Sequence, residues 1–121
     1  MIETIVKDVK KDKTIIAAYL FGSHGTEKET PLSDIDICFF TKDITRATIL
    51  NAFSFGDKKI DISIFDLLPP HVKVEVFKGK PLFIKDKFFV AEKFAKSFRE
   101  YQDFKKYRDA YFKVTRKRLT S

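Results

Sequence analysis

Two stretches of the chain carry apolar residues every three or four positions, which is the spacing of an amphipathic helix. The first covers residues 2–9 and is predicted to end near Asp12. The second runs from Asp86 to Leu119 without a Pro or Gly, and its aromatic residues cover more than one stripe. We interpret that aromatic surface as packing on the chain's own sheet; the alternative is that part of it meets another chain, in a homodimer or a hetero-oligomer.

Four other runs predict β-strands. Residues 14–21 form a continuous apolar run rich in β-branched and aromatic side chains, which is typical of a buried strand. Residues 34–40 and 59–65 alternate polar and apolar side chains, so each strand has one apolar face and one face with polar groups. Residues 82–84 predict a short edge strand, and the polar segment 24–33 predicts a loop.

Two shorter helices are predicted between the strands. One lies at Ile44–Leu50 with Thr41 or Asp43 as its N-cap, and one runs from Pro70 to Lys78. Helices thus alternate with strands, and no repeat or linker interrupts the pattern. The sequence therefore predicts one α/β domain over residues 1–121.

The composition narrows the class of protein. With 44% hydrophobic residues in 121, the chain can bury a core as one soluble domain. The longest apolar run, Ile15–Phe21, is far shorter than a membrane span of about 20 residues, and the first residues lead into charged sequence without a signal-peptide core. A single cysteine, Cys38, cannot form an internal disulfide. We therefore expect a cytoplasmic protein without a membrane partner.

The net charge of +7 is concentrated near the C-terminus. The segment Lys105–Arg118 holds seven basic residues against Asp109 alone. The first interpretation is a solvated helix face whose basic end suits a helix C-terminus. The second is a docking strip for an acidic protein or a nucleic acid. A nucleic-acid partner is not expected, because the positive charge is the only feature that favours it.

The chemistry lies in a spaced pattern of glycine, serine and aspartates. Gly22-Ser23 ends the first strand, ten residues follow, and then Asp34-x-Asp36 opens the second; Asp61 lies on a later alternating strand. Carboxylates two residues apart on a strand share a face, with Cα atoms about 6 to 7 Å apart. They can converge on Mg²⁺, which prefers hard oxygen ligands and clamps phosphoryl groups. A strand that ends in Gly-Ser lets the backbone approach a phosphate chain.

These motifs resemble a known family. Leu20-Phe21-Gly22-Ser23, Ser33-Asp34-Ile35-Asp36 and Ile60-Asp61-Ile62 are similar to the minimal nucleotidyltransferase (MNT) domains of the DNA polymerase β superfamily. Residues 66–86 and the last helix also resemble that family, so the resemblance covers most of the chain. It implies a nucleotidyltransferase fold, in which a short mixed sheet presents the aspartates on one side and has helices packed on one face, with a long C-terminal helix.

The family resemblance also implies roles for individual residues. Asp34, Asp36 and Asp61 would be catalytic and would bind metal, with two Mg²⁺ ions; Asp61 would also help to deprotonate the attacking hydroxyl. Gly22 and Ser23 would bind the nucleotide, which is ATP. The chain departs from the family at Glu27, where a glycine is usual, although Gly25 lies two residues earlier.

Other candidate residues are weaker. His24 adjoins the motif but lies in a predicted loop, and His71 is expected to begin a helix. Cys38 alternates onto the face of the acids and is expected to be a small packed side chain. Asp66 competes with Asp61 as the third acid, and strand alternation favours Asp61. The sequence does not select which of five basic residues would contact the triphosphate: Lys28, Lys42, Arg46, Lys58 and Lys59.

Two functions follow from the resemblance. The first is a metal-dependent nucleotidyltransferase that transfers AMP from ATP to a hydroxyl, a tyrosine, of a HEPN ribonuclease toxin, and so acts as its antitoxin. The alternative is a non-catalytic antitoxin that neutralises the partner by complex formation. The departure at Glu27 and the aromatic, basic last helix motivate the alternative.

Overall fold

A computed structural model describes residues 2–22 and 35–120, with side chains described at 3–22, 35–103 and 105–106. Each predicted helix and strand is confirmed, with ends that shift by a few residues. The predicted loop 24–33 lies outside the described residues. In chain order the elements are α1 (Ile2–Lys10), β1 (Ile15–Phe21), β2 (Ile35–Thr41), α2 (Arg46–Phe53), β3 (Ile60–Ile64), a 3₁₀ turn (Phe65–Leu67), α3 (Pro70–Phe77), β4 (Lys80–Ile84) and α4 (Lys87–Thr120).

Helix α2 begins later than the sequence predicts. Its N-cap is Thr45, whose side-chain oxygen accepts a hydrogen bond from Thr48 N at 3.4 Å. The prediction of Thr41 or Asp43 as the cap was therefore wrong. The carboxylate of Asp43 instead accepts hydrogen bonds from the backbone N and the hydroxyl of Thr45, at 3.2 and 3.0 Å. These bonds hold the loop in a turn, so the helix starts one residue after Thr45.

The four described strands form one mixed sheet in the order β3-β2-β1-β4. Strands β2 and β3 are parallel, whereas β1 is antiparallel to both of its neighbours. As predicted, β4 lies at an edge, but it begins at Lys80, which pairs with Leu20. Pro81 is tolerated there because an edge strand does not need every backbone N–H for the ladder. The mixed sheet expected from the resemblance is confirmed.

Helices cover both faces of this sheet. On one face Ile37 and Ile62 pack with Val9 of α1 and Ala52 of α2. The opposite face carries Asp36 at one end, but its other end is apolar and packs against α3 and α4. The family resemblance implied helices on one face of the sheet, with the aspartates on the other. This is correct only at the end of the sheet that holds Asp36. The physical reason is that the polar alternation of β2 stops at Asp36, since Cys38 and Phe40 follow on the same face.

Phe94 is the centre of the core under α4. Its ring lies 5.5 Å from that of Tyr19 and 5.3 Å from those of Phe40 and Phe65, in edge-to-face arrangements with all three. Such pairs add to the gain from burying the aromatic area. This stripe of the last helix therefore packs on its own sheet, as interpreted from the sequence. Among the described helices, none combines the length and the apolar character needed to cross a membrane.

Asp12 joins the α1–β1 turn to α2. Its carboxylate accepts hydrogen bonds from the backbone N and hydroxyl of Thr14, at 2.8 and 2.6 Å, and from Asn51 Nδ2 at 2.6 Å. Partial burial raises the pKa of Asp12, but these hydrogen bonds and the charge of Lys85 together outweigh burial and hold the pKa below its ordinary value of 3.8. A carboxyl group with a depressed folded pKa stabilises the fold above the unfolded pKa. That contribution is lost as the pH falls through the folded pKa.

We therefore expect Asp12→Ala to lower the free energy of unfolding by about 1–2 kcal/mol near pH 7, because three hydrogen bonds are lost. The loss should begin to shrink below about pH 4, where the carboxyl of the unfolded chain takes up a proton, and it should disappear as the pH falls through the lower pKa of the folded chain. Urea unfolding near pH 7 and near pH 3 measures both effects. Asp8→Ala, at an exposed position of α1, is the matched control. A loss that is equal at both pH values would contradict this account.

Candidate active site

Asp36 and Asp61 lie directly opposite each other on neighbouring parallel strands. In the register of β2 and β3, Asp36 is the partner of Asp61, and Ile35 N donates a hydrogen bond to Lys59 O at 2.8 Å next to this pair. Partner residues on adjacent strands point to the same face, about 4.8 Å apart along the sheet. Asp36 is half-buried and Asp61 is exposed. The sheet thus brings two of the three predicted acids together at one edge.

Gly22 ends β1 beside Asp36. Phe21, the residue before it, is the register partner of Asp36, and Gly22 has a φ of +83°. A Cβ atom on Gly22 would lie 2.7 Å from Asp36 Oδ2. Both the left-handed backbone and this close approach require glycine. The strand end and the carboxylate are therefore in direct contact.

The other predicted site residues lie outside the described residues. These are Ser23 and Asp34, together with His24, Gly25 and Glu27 of the following segment. Within the described part of the chain, no group of three His, Cys, Asp or Glu side chains is placed to hold a metal ion. The two opposed carboxylates are hard oxygen donors, the type that Mg²⁺ prefers. The two opposed carboxylates of the described residues therefore fit a metal site.

Asp66, the other candidate for the third acid, forms an ion pair away from Asp36. It lies in the 3₁₀ turn after β3, and its carboxylate pairs with Lys93 Nζ of α4 at 2.9 Å. Since β2 and β3 are parallel, Asp61 near the start of β3 lies beside Asp36, whereas Asp66 lies beyond the opposite end. The geometry therefore agrees with the strand alternation that favoured Asp61.

Cys38 follows Asp36 on the same face, but it is fully buried in the core under α3 and α4. Burial raises the pKa of its thiol, the charge of Asp66 raises it further, and the charge of Lys73 opposes this. A thiol with a raised pKa is a poor nucleophile. Cys38 is therefore a packed side chain, as expected. His71 lies in the first turn of α3, also as expected.

Gly79 is a site-supporting residue that the sequence reasoning missed. It follows α3, and a Cβ atom there would clash with Leu20 O and lie 3.1 Å from Phe21 Cβ. The end of α3 can therefore approach β1 just before Gly22. The sequence signal was the Lys78-Gly79 helix end, which indicated where the helix stops but not what it contacts.

The fold and the opposed acids agree with a nucleotidyltransferase. Residues 3–88 match the family model described as polymerase beta, nucleotidyltransferase, and the chain belongs to this family. The family predicted from the motifs is thereby confirmed. A Methanocaldococcus jannaschii relative, named "Putative protein adenylyltransferase MJ1547", is 31% identical over 106 residues, which cover 87% of this chain and 85% of the relative.

Solved structures share the fold. A chain from the crystal structure of a toxin–antitoxin complex with AMP-PNP has a TM-score of 0.69 and 21% identity, and 94% of each chain is covered. A chain from the complex of a tri-AMPylated Shewanella oneidensis HEPN toxin with an MNT antitoxin has a TM-score of 0.62 and 22% identity. That match covers 94% of this chain and 92% of the other. The predicted nucleotidyltransferase fold is therefore confirmed.

Proposed function

We propose that this chain is a metal-dependent protein adenylyltransferase. It transfers AMP from ATP to a tyrosine hydroxyl of a HEPN-type toxin and acts in the cytoplasm as the antitoxin of that toxin. The observation that carries the proposal is the opposition of Asp36 and Asp61 on parallel strands, beside the glycine that ends β1. The name of the M. jannaschii relative and the AMPylated toxin in the S. oneidensis complex support the same chemistry and the same kind of partner.

The reaction assigned to the site is an in-line displacement. The acceptor oxygen attacks the α-phosphorus of ATP, the bond from that phosphorus to the bridging oxygen of the β-phosphate breaks, and pyrophosphate leaves. Asp61, the more exposed of the two opposed acids, takes the proton of the acceptor hydroxyl. Gly22 and Ser23 hold the phosphate chain through backbone and hydroxyl donors.

Asp34, Asp36 and Asp61 would hold the metal, with two Mg²⁺ ions as the proposed complement. When bound, the ions neutralise negative charge that develops on the phosphoryl oxygens. The half-buried Asp36 is the anchor of this set, because Gly22 packs against its carboxylate. A carboxylate fixed in this way keeps its donor atoms in place without reorganisation during the reaction.

The test is transfer of labelled AMP. The purified chain, its co-encoded HEPN-type partner, Mg²⁺ and ATP labelled at the α-phosphate should give a labelled partner, and replacing its acceptor tyrosine by phenylalanine should abolish the label. ATP labelled at the γ-phosphate should leave the partner unlabelled, since that phosphate departs in pyrophosphate. A partner that takes up no label in vitro and is unmodified in cells would refute the proposal.

An apolar groove favours a second candidate function, neutralisation by binding alone. The groove lies between the end of α3 and the first half of α4, has a volume of about 420 Å³, and is rimmed by Phe77, which is 51% exposed. Its lining consists of Tyr19, Phe77, Ile84, Lys87, Val90, Ala91, Phe94, Ala95 and Phe98. A largely apolar groove of this kind is typical of protein-binding surfaces.

The variant Asp34→Asn with Asp36→Asn separates the two functions. If AMP transfer neutralises the toxin, this variant should fail to rescue cells that express the toxin, although it still binds it. If binding suffices, the variant should rescue as well as the wild type at equal expression. Toxin survival assays, with immunoblots for expression level, measure the difference.

A further inference from the structure

A row of side chains crosses the sheet on the face of the aspartates. Phe21 of β1 is the register partner of Asp36 of β2, and Asp36 is in turn the register partner of Asp61 of β3. Register partners on adjacent strands point to the same face, and in an antiparallel pair their Cβ atoms lie about 4.5–5.5 Å apart. Asp36 therefore has the acidic side chain of Asp61 on one side and the aromatic side chain of Phe21 on the other.

Tertiary contacts fix the side chain of Phe21 in this row. It is half-buried and packs against the core under α3 and α4, which includes Cys38 and Val76. The end of α3 also reaches the base of this side chain, since Gly79 comes so close that a Cβ atom on it would lie 3.1 Å from Phe21 Cβ. Phe21 is thus held between the core and the end of α3 and has little freedom to move away from Asp36.

We propose that Phe21 is a positioning residue for Asp36 in the metal site. The inference rests on the proposed function, because it takes the two opposed carboxylates as metal ligands. The Phe21 ring donates no hydrogen bond to a carboxylate and excludes water from the β1 side of Asp36, so a cation is favoured on the side of Asp61. Together with Gly22, the next residue of the chain, it limits the movement of the Asp36 carboxylate. Phe21 touches neither metal nor substrate in this role and acts through Asp36.

Titration of the full chain with Mn²⁺ tests this role. Mn²⁺ takes the same oxygen ligands as Mg²⁺, and electron paramagnetic resonance measures the fraction that stays free. Phe21→Ala should bind Mn²⁺ about tenfold more weakly than the wild type, which is the lower end of the loss that removing a supporting contact causes in metal sites. Phe21→Leu keeps an apolar side chain beside Asp36 and should stay within about threefold of the wild type.

Phe83→Ala is the matched control. Phe83 is also half-buried, but it lies on β4 opposite Ala18 and packs on the other face of the sheet. The same truncation there should lower the thermal stability comparably and leave the Mn²⁺ affinity within about twofold of the wild type. Gly79→Ala is an independent test, because its methyl group would press on Phe21 without removing the ring. It should also weaken Mn²⁺ binding by about tenfold.

The outcomes separate this inference from the proposed function. If the wild type binds Mn²⁺ and Phe21→Ala loses no more affinity than Phe83→Ala, the role of Phe21 is refuted while the adenylyltransferase proposal stands. If Phe21→Ala loses Mn²⁺ affinity but the wild type transfers no AMP, the role of Phe21 stands and the proposed reaction is refuted. A wild type that binds no Mn²⁺ would refute both. If Phe21→Ala does not fold, Gly79→Ala decides, and an unchanged Mn²⁺ affinity in that variant refutes the inference.

Discussion

Asp61→Asn is expected to lower the rate of AMP transfer by about a thousandfold or more, which is typical of losing a group that stabilises a phosphoryl-transfer transition state. The change replaces one carboxylate oxygen by an amide nitrogen and keeps the size of the side chain. It removes the carboxylate opposite Asp36 that is proposed both to bind metal and to accept the proton. Stability should change by less than about 0.5 kcal/mol, since Asp61 is exposed.

Asp66→Asn is the matched control for this prediction. It makes the same chemical change five residues later, at the acid whose carboxylate pairs with Lys93 at 2.9 Å. The pair is partly solvated, so its loss should cost no more than about 1 kcal/mol of stability. AMP transfer should stay within about twofold of the wild type, because no reacting group is changed. Single-turnover transfer assays compare the two variants. If Asp66→Asn abolished AMP transfer and Asp61→Asn did not, the catalytic site would lie at the other end of β3.

Gly22→Ala is expected to reduce AMP transfer by about a hundredfold, the loss that a displacement of about 1 Å causes at a catalytic group. The new methyl group would lie 2.7 Å from Asp36 Oδ2, so either the carboxylate or the end of β1 must move. An alanine at φ +83° also carries a backbone penalty of about 1–2 kcal/mol. The free energy of unfolding should fall by a similar amount, as measured by urea unfolding.

Val9→Ala separates the loss of activity from the loss of stability. Val9 is fully buried and packs in the core on the face of the sheet opposite to Asp36. This variant should be destabilised by the loss of buried methyl groups and keep nearly wild-type transfer per folded molecule. If Gly22→Ala kept wild-type transfer too, the contact between Gly22 and Asp36 would have no catalytic role.

The helices and strands could be predicted because their signals are local. Residues 34–40 and 59–65 alternate with a period of two, and the apolar run at 14–21 has the composition of a buried strand. The N-cap of α2 was predicted at the wrong residue because Thr41, Asp43 and Thr45 all have capping side chains. The hydrogen bonds of the preceding turn select Thr45 as the cap, and these bonds cannot be read from the sequence.

The sequence predicted residues for the candidate site, but it could not predict the geometry that brings them together. The spacing of Gly22 and Asp36 indicated phosphate and metal chemistry, and alternation favoured Asp61 over Asp66. The contact of Gly22 with Asp36 and the close approach of Gly79 to Leu20 and Phe21 of β1 could not be predicted. Both depend on how segments far apart in the chain pair with each other.

The sequence by itself determined the helices and strands of this protein and its family, and it predicted the acids of the candidate site, because periodicity and motif spacing are local properties of the chain. Only the tertiary structure decided that Asp36 meets Asp61, since a shift of one residue between β2 and β3 would place them on opposite faces. It also decided that α3 and α4 cover the apolar end of the aspartates' face. That outcome depends on the combined burial of Phe40, Phe65 and Phe94, three aromatic side chains brought together from distant parts of the chain.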